Sequence, residues 1–240
     1  MLVCGICNMK HFAIRIKGYD VSEIAAKNLL QSSENVGNDF KIELFDAVLP
    51  ENAQDFLKKR NIKWNWPWEQ VDIDIATGLK KTPYRTENKL ARMACFCSHY
   101  ALWERATKET VMIFEHDALF IRRIYPMSDV LQKAPYVIGI NDPRGATRRS
   151  NEFYRILQLN ESEIQKVPRI DTPDIPQGLA GNSAYIITPD AAKQVIEKVK
   201  ILGAWPNDAL LCYQNFSFMR VTKRPFTKVQ KIRSTTTHAF

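Results

Sequence analysis

The chain has 240 residues, of which 45% are hydrophobic and 25% charged, enough to bury the core of one large α/β domain or two small ones. No run approaches the roughly 18 apolar residues that cross a membrane, and the first residues lack the basic stretch and cleavage site of a signal peptide. The formal net charge is +8, and no acidic residue occurs between Ala209 and Phe240, so this end would either attract phosphate groups or simply keep a surface solvated.

Strand-like and helical patterns alternate along the first part of the chain. FAIRI (12–16) is a short apolar run typical of a strand, and VSEIAAKNLLQSS (21–33) has helical spacing, with Asp20 as its candidate N-cap. KIELFDAV (41–48) predicts a second strand, and ENAQDFLKKRN (51–61) predicts a second, amphipathic helix.

The segment 64–88 has no clear period and predicts a loop that carries Trp64, Trp66 and Trp68. Three indoles so close together could stack on a sugar or a base as a platform for an acceptor. They could equally fasten the loop to the core.

Residues 89–109 predict a helix, because Met93, Phe96, Cys97, Tyr100 and Trp103 fall on one side of it. The strand VMIFEHD (111–117) follows directly. YVIGIN (136–141) predicts another strand, which ends in a loop.

SAYIITPDAAKQVIEKV (183–199) predicts a strand and then a helix, with Pro189 near its first turn. A helical segment (205–216) and a final strand (218–226) complete the pattern. Alternating strands and helices imply a mostly parallel sheet covered on both faces, within one domain over residues 1–240. The chain has neither a G-x-G-x-x-G nor a G-x-x-x-x-G-K-[ST] motif, which argues against a dinucleotide or P-loop enzyme.

The five cysteines are few and odd in number, which fits reduced thiols in the cytoplasm. Cys4 with Cys7 and Cys95 with Cys97 could in principle form a four-thiolate zinc site. Neither pair lies in a turn-rich segment of the kind such sites use, and the second pair belongs to a predicted helix, so zinc is not expected.

The strand at 111–117 ends in Glu115, His116 and Asp117, although an uncompensated buried charge costs several kcal/mol. Ligands of parallel sheets bind outside the carboxyl ends of the strands, where Asp46 is also expected. Glu115 and Asp117 would point to the same side of a continuing strand, and two such carboxylates suit Mg²⁺ or Mn²⁺. The alternative is a strand that simply ends in water.

Three segments resemble, in order, the family 25 glycosyltransferases, whose members build lipooligosaccharide outer cores or galactosylate collagen. These segments are FDAVLPE (45–51), ACFCSHYALWERATKETVMIFEHDALF (94–120), and GNSAYIITPDAAKQVI (181–196) followed by WPND (205–208). The chain departs from the family at His116, which replaces the central acid of an EDD motif, and at Arg92, where the family often has Glu. The first strand also lacks the usual Asn-Leu and paired arginines.

The resemblance implies a GT-A-like α/β fold with a Rossmann-like nucleotide-binding half. It also implies inverting transfer of a sugar from a nucleotide-sugar, usually UDP-linked, to a hydroxyl of a glycan acceptor. Mn²⁺ or Mg²⁺ held by Glu115 and Asp117 would neutralise the diphosphate leaving group. His238 could add a third metal ligand, or lie in a wet, frayed terminus. Asp208 is expected to be the general base, with a helix N-cap as its alternative role.

Five further residues are expected to bind the donor. Asp46 would contact the nucleotide or cap a turn, and Asn182 and Ser183 would reach the donor sugar. Ser98 and His99 would line the donor pocket, unless His99 is a core histidine bonded to a backbone carbonyl.

Two other functions stay open at this point. The basic C-terminal end and the tryptophan loop would also suit transfer to a hydroxylated base of nucleic acid, as in viral DNA modification. His116 and Arg92 would suit a non-catalytic module that binds nucleotide-sugars or glycans. The expected partners are a nucleotide-sugar and either a glycan acceptor or DNA. The expected location is the cytoplasm, free or peripheral at the inner membrane surface, or that of a virus-infected cell.

Overall fold

The computed structural model describes residues 9–125, 127–132, 134–144 and 149–232. The strands are β1 (Lys10–Arg15), β2 (Glu43–Asp46), β3 (Asp72–Ile73), β4 (Lys80–Lys81), β5 (Val111–Glu115), β6 (Ala118–Phe120), β7 (Val137–Gly139), β8 (Ile164–Lys166), β9 (Ala184–Ile187), β10 (Met219–Thr222) and β11 (Thr227–Val229). The helices are α1 (Asp20–Asn35), α2 (Pro50–Lys59), α3 (Lys89–Ala106), α4 (Ser128–Leu131), α5 (Ser150–Leu159), α6 (Pro189–Leu202) and α7 (Asn207–Leu210).

The central sheet has seven strands in the order β2-β1-β5-β9-β7-β10-β8. β1 pairs in parallel with β2 and β5, and β7 pairs in parallel with β10. β9 runs antiparallel to both of its neighbours, and β8 runs antiparallel to β10. All strands of this sheet except β8 and β9 therefore point the same way, which confirms the predicted α/β class with a mostly parallel sheet.

The sheet is buried on both faces because its strands alternate between two apolar clusters. Val111 and Ile113 of β5 pack into the cluster that contains α3 and α6, while Met112 and Phe114 pack into the cluster that contains Leu29 of α1. Side chains of a strand alternate between faces, so a strand covered on both sides is apolar throughout. None of the described helices is long and apolar enough to cross a membrane.

Some local predictions were wrong. Helix α1 begins at Asp20 itself, and its N-cap is Tyr19, so Asp20 does not cap it. Glu23 instead accepts the backbone N–H of Gly18 and pairs with Arg15 at 2.7 Å, which fastens the start of the helix to β1. The predicted helical segment at 205–216 shortens to α7, and α5, β8, β11 and the β3–β4 hairpin were not predicted.

The tryptophan loop is fastened to the core. The Trp66 side chain is buried, its indole N–H donates to the carbonyl of Thr82, and its ring packs against Trp205. Trp64 and Trp68 stack on each other with their ring centroids 5.1 Å apart. For Trp66, this confirms the alternative in which the indole fastens the loop to the core. In Trp64 and Trp68, the two ring faces that stack on each other cannot stack on a ligand.

Candidate active site

A cavity of about 630 Å³ opens at the carboxyl ends of β1, β2 and β5. Its wall includes Ile16 after β1, residues 47–50 after β2, and residues 115–117 at the end of β5. Because β9 runs in the opposite direction, the residues that precede it, Asn182 and Ser183, lie at this same edge. The backbone N–H of Glu115 donates to the carbonyl of Ser183 at 2.8 Å, so both segments meet there.

Helices α3 and α7 close the remaining sides. Arg92, Cys95 and His99 recur at helical spacing along α3 and line the cavity, and Asp208 lines it from α7. The segment before β9 passes close to α7 at Gly178, where an added Cβ would lie 2.6 Å from the backbone oxygen of Asp208. Only glycine permits that close approach.

The two predicted metal ligands differ in how their charge is compensated. Burial would raise the pKa of Glu115, but hydrogen bonds from His99 and Asn207 lower it overall. Asp117 Oδ1 is buried and has no hydrogen-bond partner among the described residues. Burial and the adjacent charge of Glu115 raise the pKa of Asp117 to about 7. A cation held between the carboxylates would supply the missing partner, so this pair fits Mn²⁺ or Mg²⁺.

A chain of hydrogen bonds leads from the core to Glu115. The Trp103 indole N–H donates to the Tyr185 hydroxyl oxygen at 2.8 Å, which lies 2.8 Å from Nδ1 of His99. Nε2 of His99 lies 3.0 Å from Oε1 of Glu115. The Glu115 carboxylate can only accept, so Nε2 of His99 donates to it. In the tautomer that carries its proton on Nε2, Nδ1 accepts from the Tyr185 hydroxyl.

These hydrogen bonds show that one alternative for His99, a bond to a backbone carbonyl, is wrong. This residue is fully buried and lines the cavity, but its ring nitrogens bond to the side chains of Tyr185 and Glu115 rather than to a backbone carbonyl. Cys95 lies beside it, and the ligand atoms of Cys95, His99 and Glu115 all fall within 4.8 Å of one another.

The turn that carries Asp117 is held by Gln230. Its backbone N–H donates to the carbonyl of Asp117 at 2.7 Å, and its side-chain amide donates to the carbonyls of His116 and Ala118. His116 is buried, and burial lowers its pKa, so its ring is neutral near pH 7. The position between the two carboxylates therefore carries no positive charge.

Asp208 faces the cavity rather than capping a helix. The N-cap of α7 is Pro206, and it makes no side-chain cap bond, so the N-cap alternative for Asp208 is wrong. Enclosure in the cavity wall raises the pKa of Asp208, while nearby Arg92 and a hydrogen bond with Tyr84 lower it. The carboxylate is solvent-accessible through the cavity and can meet a ligand.

Three of the predicted donor-binding residues also line the cavity. Both amide atoms of Asn182 are buried and have no hydrogen-bond partner among the described residues. The Ser183 side chain lies close enough to Asp117 to lower the pKa of its carboxyl. The Ser98 hydroxyl accepts the N–H of Val48 at 2.9 Å and so holds the loop after β2.

Two predicted residues are not brought to this cluster. Asp46 is not part of the cavity wall, and its Oδ1 lies 3.0 Å from Nε of Arg15 in an ion pair at the sheet edge. His238 lies outside the described residues, as do Cys4 and Cys7. Nucleotide contact by Asp46 and metal binding by His238 stay predictions.

Sequence reasoning missed Cys95, Asn207, Tyr185 and Gln230. The stripe at Arg92, Cys95 and His99 was detectable, because these residues share a face of a predicted helix that also carries a motif histidine. Tyr185 and Gln230 gave no local signal, since their partners lie on distant segments of the chain.

The model of a protein family described as Glycosyltransferase family 25 (LPS biosynthesis protein) matches residues 34–211. No curated protein sequence matches the chain.

Similar solved structures include an active-site mutant of LgtC, with 11% identity over 94% of this chain and 88% of that chain and a TM-score of 0.43. Galactosyltransferase LgtC in complex with donor and acceptor sugar analogues has 15% identity over 89% of this chain and 73% of that one, with a TM-score of 0.39. Mouse xyloside xylosyltransferase 1 has 10% identity over 88% and 80%, with a TM-score of 0.40. The description of the matching family refers to LPS biosynthesis and names no nucleic-acid substrate. Because the family match covers more than half of the chain, the protein belongs to glycosyltransferase family 25 and is a glycosyltransferase.

Proposed function

We propose that the protein transfers a sugar from a UDP-linked donor to a hydroxyl of a glycan acceptor, with inversion at the anomeric carbon and with Mn²⁺ or Mg²⁺ bound by Glu115 and Asp117. The observation that carries this proposal is the buried Oδ1 of Asp117, which has no hydrogen-bond partner in the described part of the chain and lies beside a second carboxylate in the cavity. When bound, the ion would neutralise charge on the departing diphosphate.

The donor end of the cavity would be formed by groups that have no partner of their own within the described ranges. Asn182 offers an amide donor and an amide acceptor to a ligand, and both are desolvated before any ligand arrives. A buried polar group without a hydrogen bond destabilises the folded protein. Hydroxyls of a bound sugar are therefore the expected partners of the Asn182 amide. Ser183 lies next to it and contacts Asp117, which links the sugar site to the metal site.

Asp208 acts as the general base in this proposal. It takes the proton of the acceptor hydroxyl as the acceptor oxygen bonds to the anomeric carbon, and the bond to the diphosphate oxygen breaks with its electrons leaving on that oxygen. A carboxylate with a raised pKa accepts a proton more readily near neutral pH than an ordinary aspartate does. One base and one displacement give an inverted product.

The first experiment measures the thermal shift of the protein with a panel of nucleotide-sugars, with and without Mn²⁺. A ligand that binds only the folded state raises Tm, and UDP-sugars with Mn²⁺ are expected to do so. The selected donor is then used to measure hydrolysis or transfer by the wild type, by Asp117→Asn and by Asp190→Asn. Asp190 is a matched control because its carboxylate is exposed and pairs with Lys193 on the surface of α6.

Turnover should vanish in Asp117→Asn and in EDTA, and persist in Asp190→Asn. Equal turnover by the wild type with Mn²⁺ and with EDTA would remove the metal from the proposal. The anomeric configuration of the first-formed product, read by NMR, tests inversion separately.

A further inference from the structure

Arg92 is the one lysine or arginine in the wall of the cavity, within the part of the chain that the structure describes. The other charged residues of that wall are the acidic Glu115, Asp117, Asp171 and Asp208. A single cation among acidic groups changes which ligands the cavity can accept. Its placement therefore bears on substrate choice.

The Arg92 guanidinium is held in place from two sides. Its Nε donates to the Thr86 hydroxyl at 2.7 Å, and its central carbon lies 4.7 Å from the centroid of the Tyr84 ring. These contacts use the inner nitrogen and one face of the group. Among the described residues, its two terminal nitrogens make no hydrogen bond, and no carboxylate lies within 4.0 Å of the guanidinium, the limit for an ion pair.

An arginine held in this way is preorganised to bind an anionic ligand. The guanidinium offers a planar pair of N–H donors that matches a carboxylate or a phosphate, and orientation by neighbours reduces the entropy lost on binding. Because Arg92 has no carboxylate partner within ion-pair distance among the described residues, its paired N–H donors can bind a ligand.

The position of Arg92 assigns the anion to the acceptor rather than to the donor. The central carbon of its guanidinium lies 4.7 Å from the centroid of the Tyr84 ring, and Tyr84 hydrogen-bonds to Asp208, the proposed base. The guanidinium therefore lies beside the base, and its charge lowers the pKa values of Asp208 and of Tyr84.

We propose that Arg92 is a specificity-determining residue that binds a carboxylate or phosphate group on the acceptor, beside the base that activates the acceptor hydroxyl. The preferred acceptor is thus an acidic or phosphorylated sugar. This inference rests on the proposed function, because it needs the donor and the metal at Glu115 and Asp117.

The test measures binding of three small acceptor analogues to the protein preloaded with Mn²⁺ and UDP. Methyl glucuronide carries a carboxylate, glucose 6-phosphate carries a phosphate, and methyl glucoside is neutral. At least one anionic compound should bind about tenfold or more tightly than the neutral one, as expected for a charge-assisted bidentate contact. Which anion is preferred distinguishes an acidic sugar from a phosphorylated one.

The preference should disappear in Arg92→Gln and fall only in part in Arg92→Lys, which keeps the charge without the planar fork. Arg105→Gln is the matched control, since Arg105 lies on the same helix but stacks on Phe12 and Phe45 outside the cavity wall. That variant should keep the wild-type preference.

Equal binding of all three compounds by the wild type would overturn the inference. So would a tenfold loss of UDP affinity in Arg92→Gln with the acid preference intact, because the arginine would then serve the donor. Failure of the wild type to bind UDP with Mn²⁺ at all is a different result, and it would count against the proposed function itself.

Discussion

Nε2 of His99 lies 3.0 Å from Oε1 of Glu115, and the far side of the same ring meets the Tyr185 hydroxyl at 2.8 Å. A predicted metal ligand is thereby oriented from the hydrophobic core, through two aromatic side chains on α3 and β9. Partners that orient metal ligands in this way commonly change metal affinity by about 10- to 100-fold when they are replaced. Under the proposed function, His99 would therefore be a positioning residue rather than a catalytic one.

Two substitutions of His99 distinguish the effect of its hydrogen bond to Glu115 from the effect of its packing. Glutamine and methionine have similar volumes and flexibility, but only glutamine can donate an N–H to Glu115. We expect Mn²⁺ affinity to fall about 10- to 100-fold in His99→Met and to be partly restored in His99→Gln, measured by titration calorimetry. Equal affinities in two variants of equal Tm would show that His99 only fills space.

Asn182 should contribute to donor binding without contributing to stability. Its amide makes no hydrogen bond to any residue that the structure describes, so Asn182→Leu should leave the Tm of the ligand-free protein unchanged or raised. The Tm increase caused by the donor should shrink. Asn141→Leu is the contrasting variant, because the Asn141 amide bonds to Asp142 and Thr227 and its loss should cost about 1–3 kcal/mol. A destabilised Asn182→Leu with a full donor response would contradict this account.

Asp208 should be needed for turnover but not for metal binding. Asp208→Asn keeps the size of the side chain and removes the base, so kcat should fall about 10²- to 10⁴-fold while Mn²⁺ still binds. Tyr84→Phe removes a hydrogen bond that lowers the pKa of Asp208. The base must be deprotonated, so the acidic limb of the kcat/KM profile should move to higher pH in that variant. An unchanged kcat in Asp208→Asn would exclude it as the base.

Asp117 should make the metal-free protein less stable as pH rises. Burial and the charge of Glu115 raise its pKa from 3.8 to about 7, so between these values the folded state holds a proton that the unfolded chain has released. The wild type should therefore lose stability from about pH 4 to about pH 7, relative to Asp117→Asn, and the difference should level off above pH 7. Melting curves in EDTA measure it, at about 2–4 °C per kcal/mol. A constant difference across this range would show that folding does not raise the pKa of Asp117.

The sequence predicted the part of the site that depends on one strand and its end. Glu115 and Asp117 stood out because two carboxylates interrupt an apolar run, and the structure brings both into the cavity. Asp46 satisfied the same rule at the end of β2, yet it pairs with Arg15 on the neighbouring strand. Strand-end position alone cannot tell a side chain that faces the cavity from one that finds a cation beside it.

The remainder of the site depends on long-range pairing. Asn182 and Ser183 reach the carboxyl edge only because β9 is reversed, and strand direction is not encoded in the local apolar pattern. Tyr185 meets His99 across 86 positions of the chain, so its role becomes visible only after β9 is placed beside β5. Gln230 is similar, since it holds a turn more than 100 residues away.

The central claim is that Glu115 and Asp117 together bind one divalent cation. Electron paramagnetic resonance titration of Mn²⁺ into the purified protein tests it most directly, with Glu115→Gln, Asp117→Asn and Asp190→Asn measured alongside. We predict one bound ion in the wild type and in Asp190→Asn, tighter binding when UDP is present, and loss of binding in the other two variants. Unchanged Mn²⁺ binding in both Glu115→Gln and Asp117→Asn would contradict the claim.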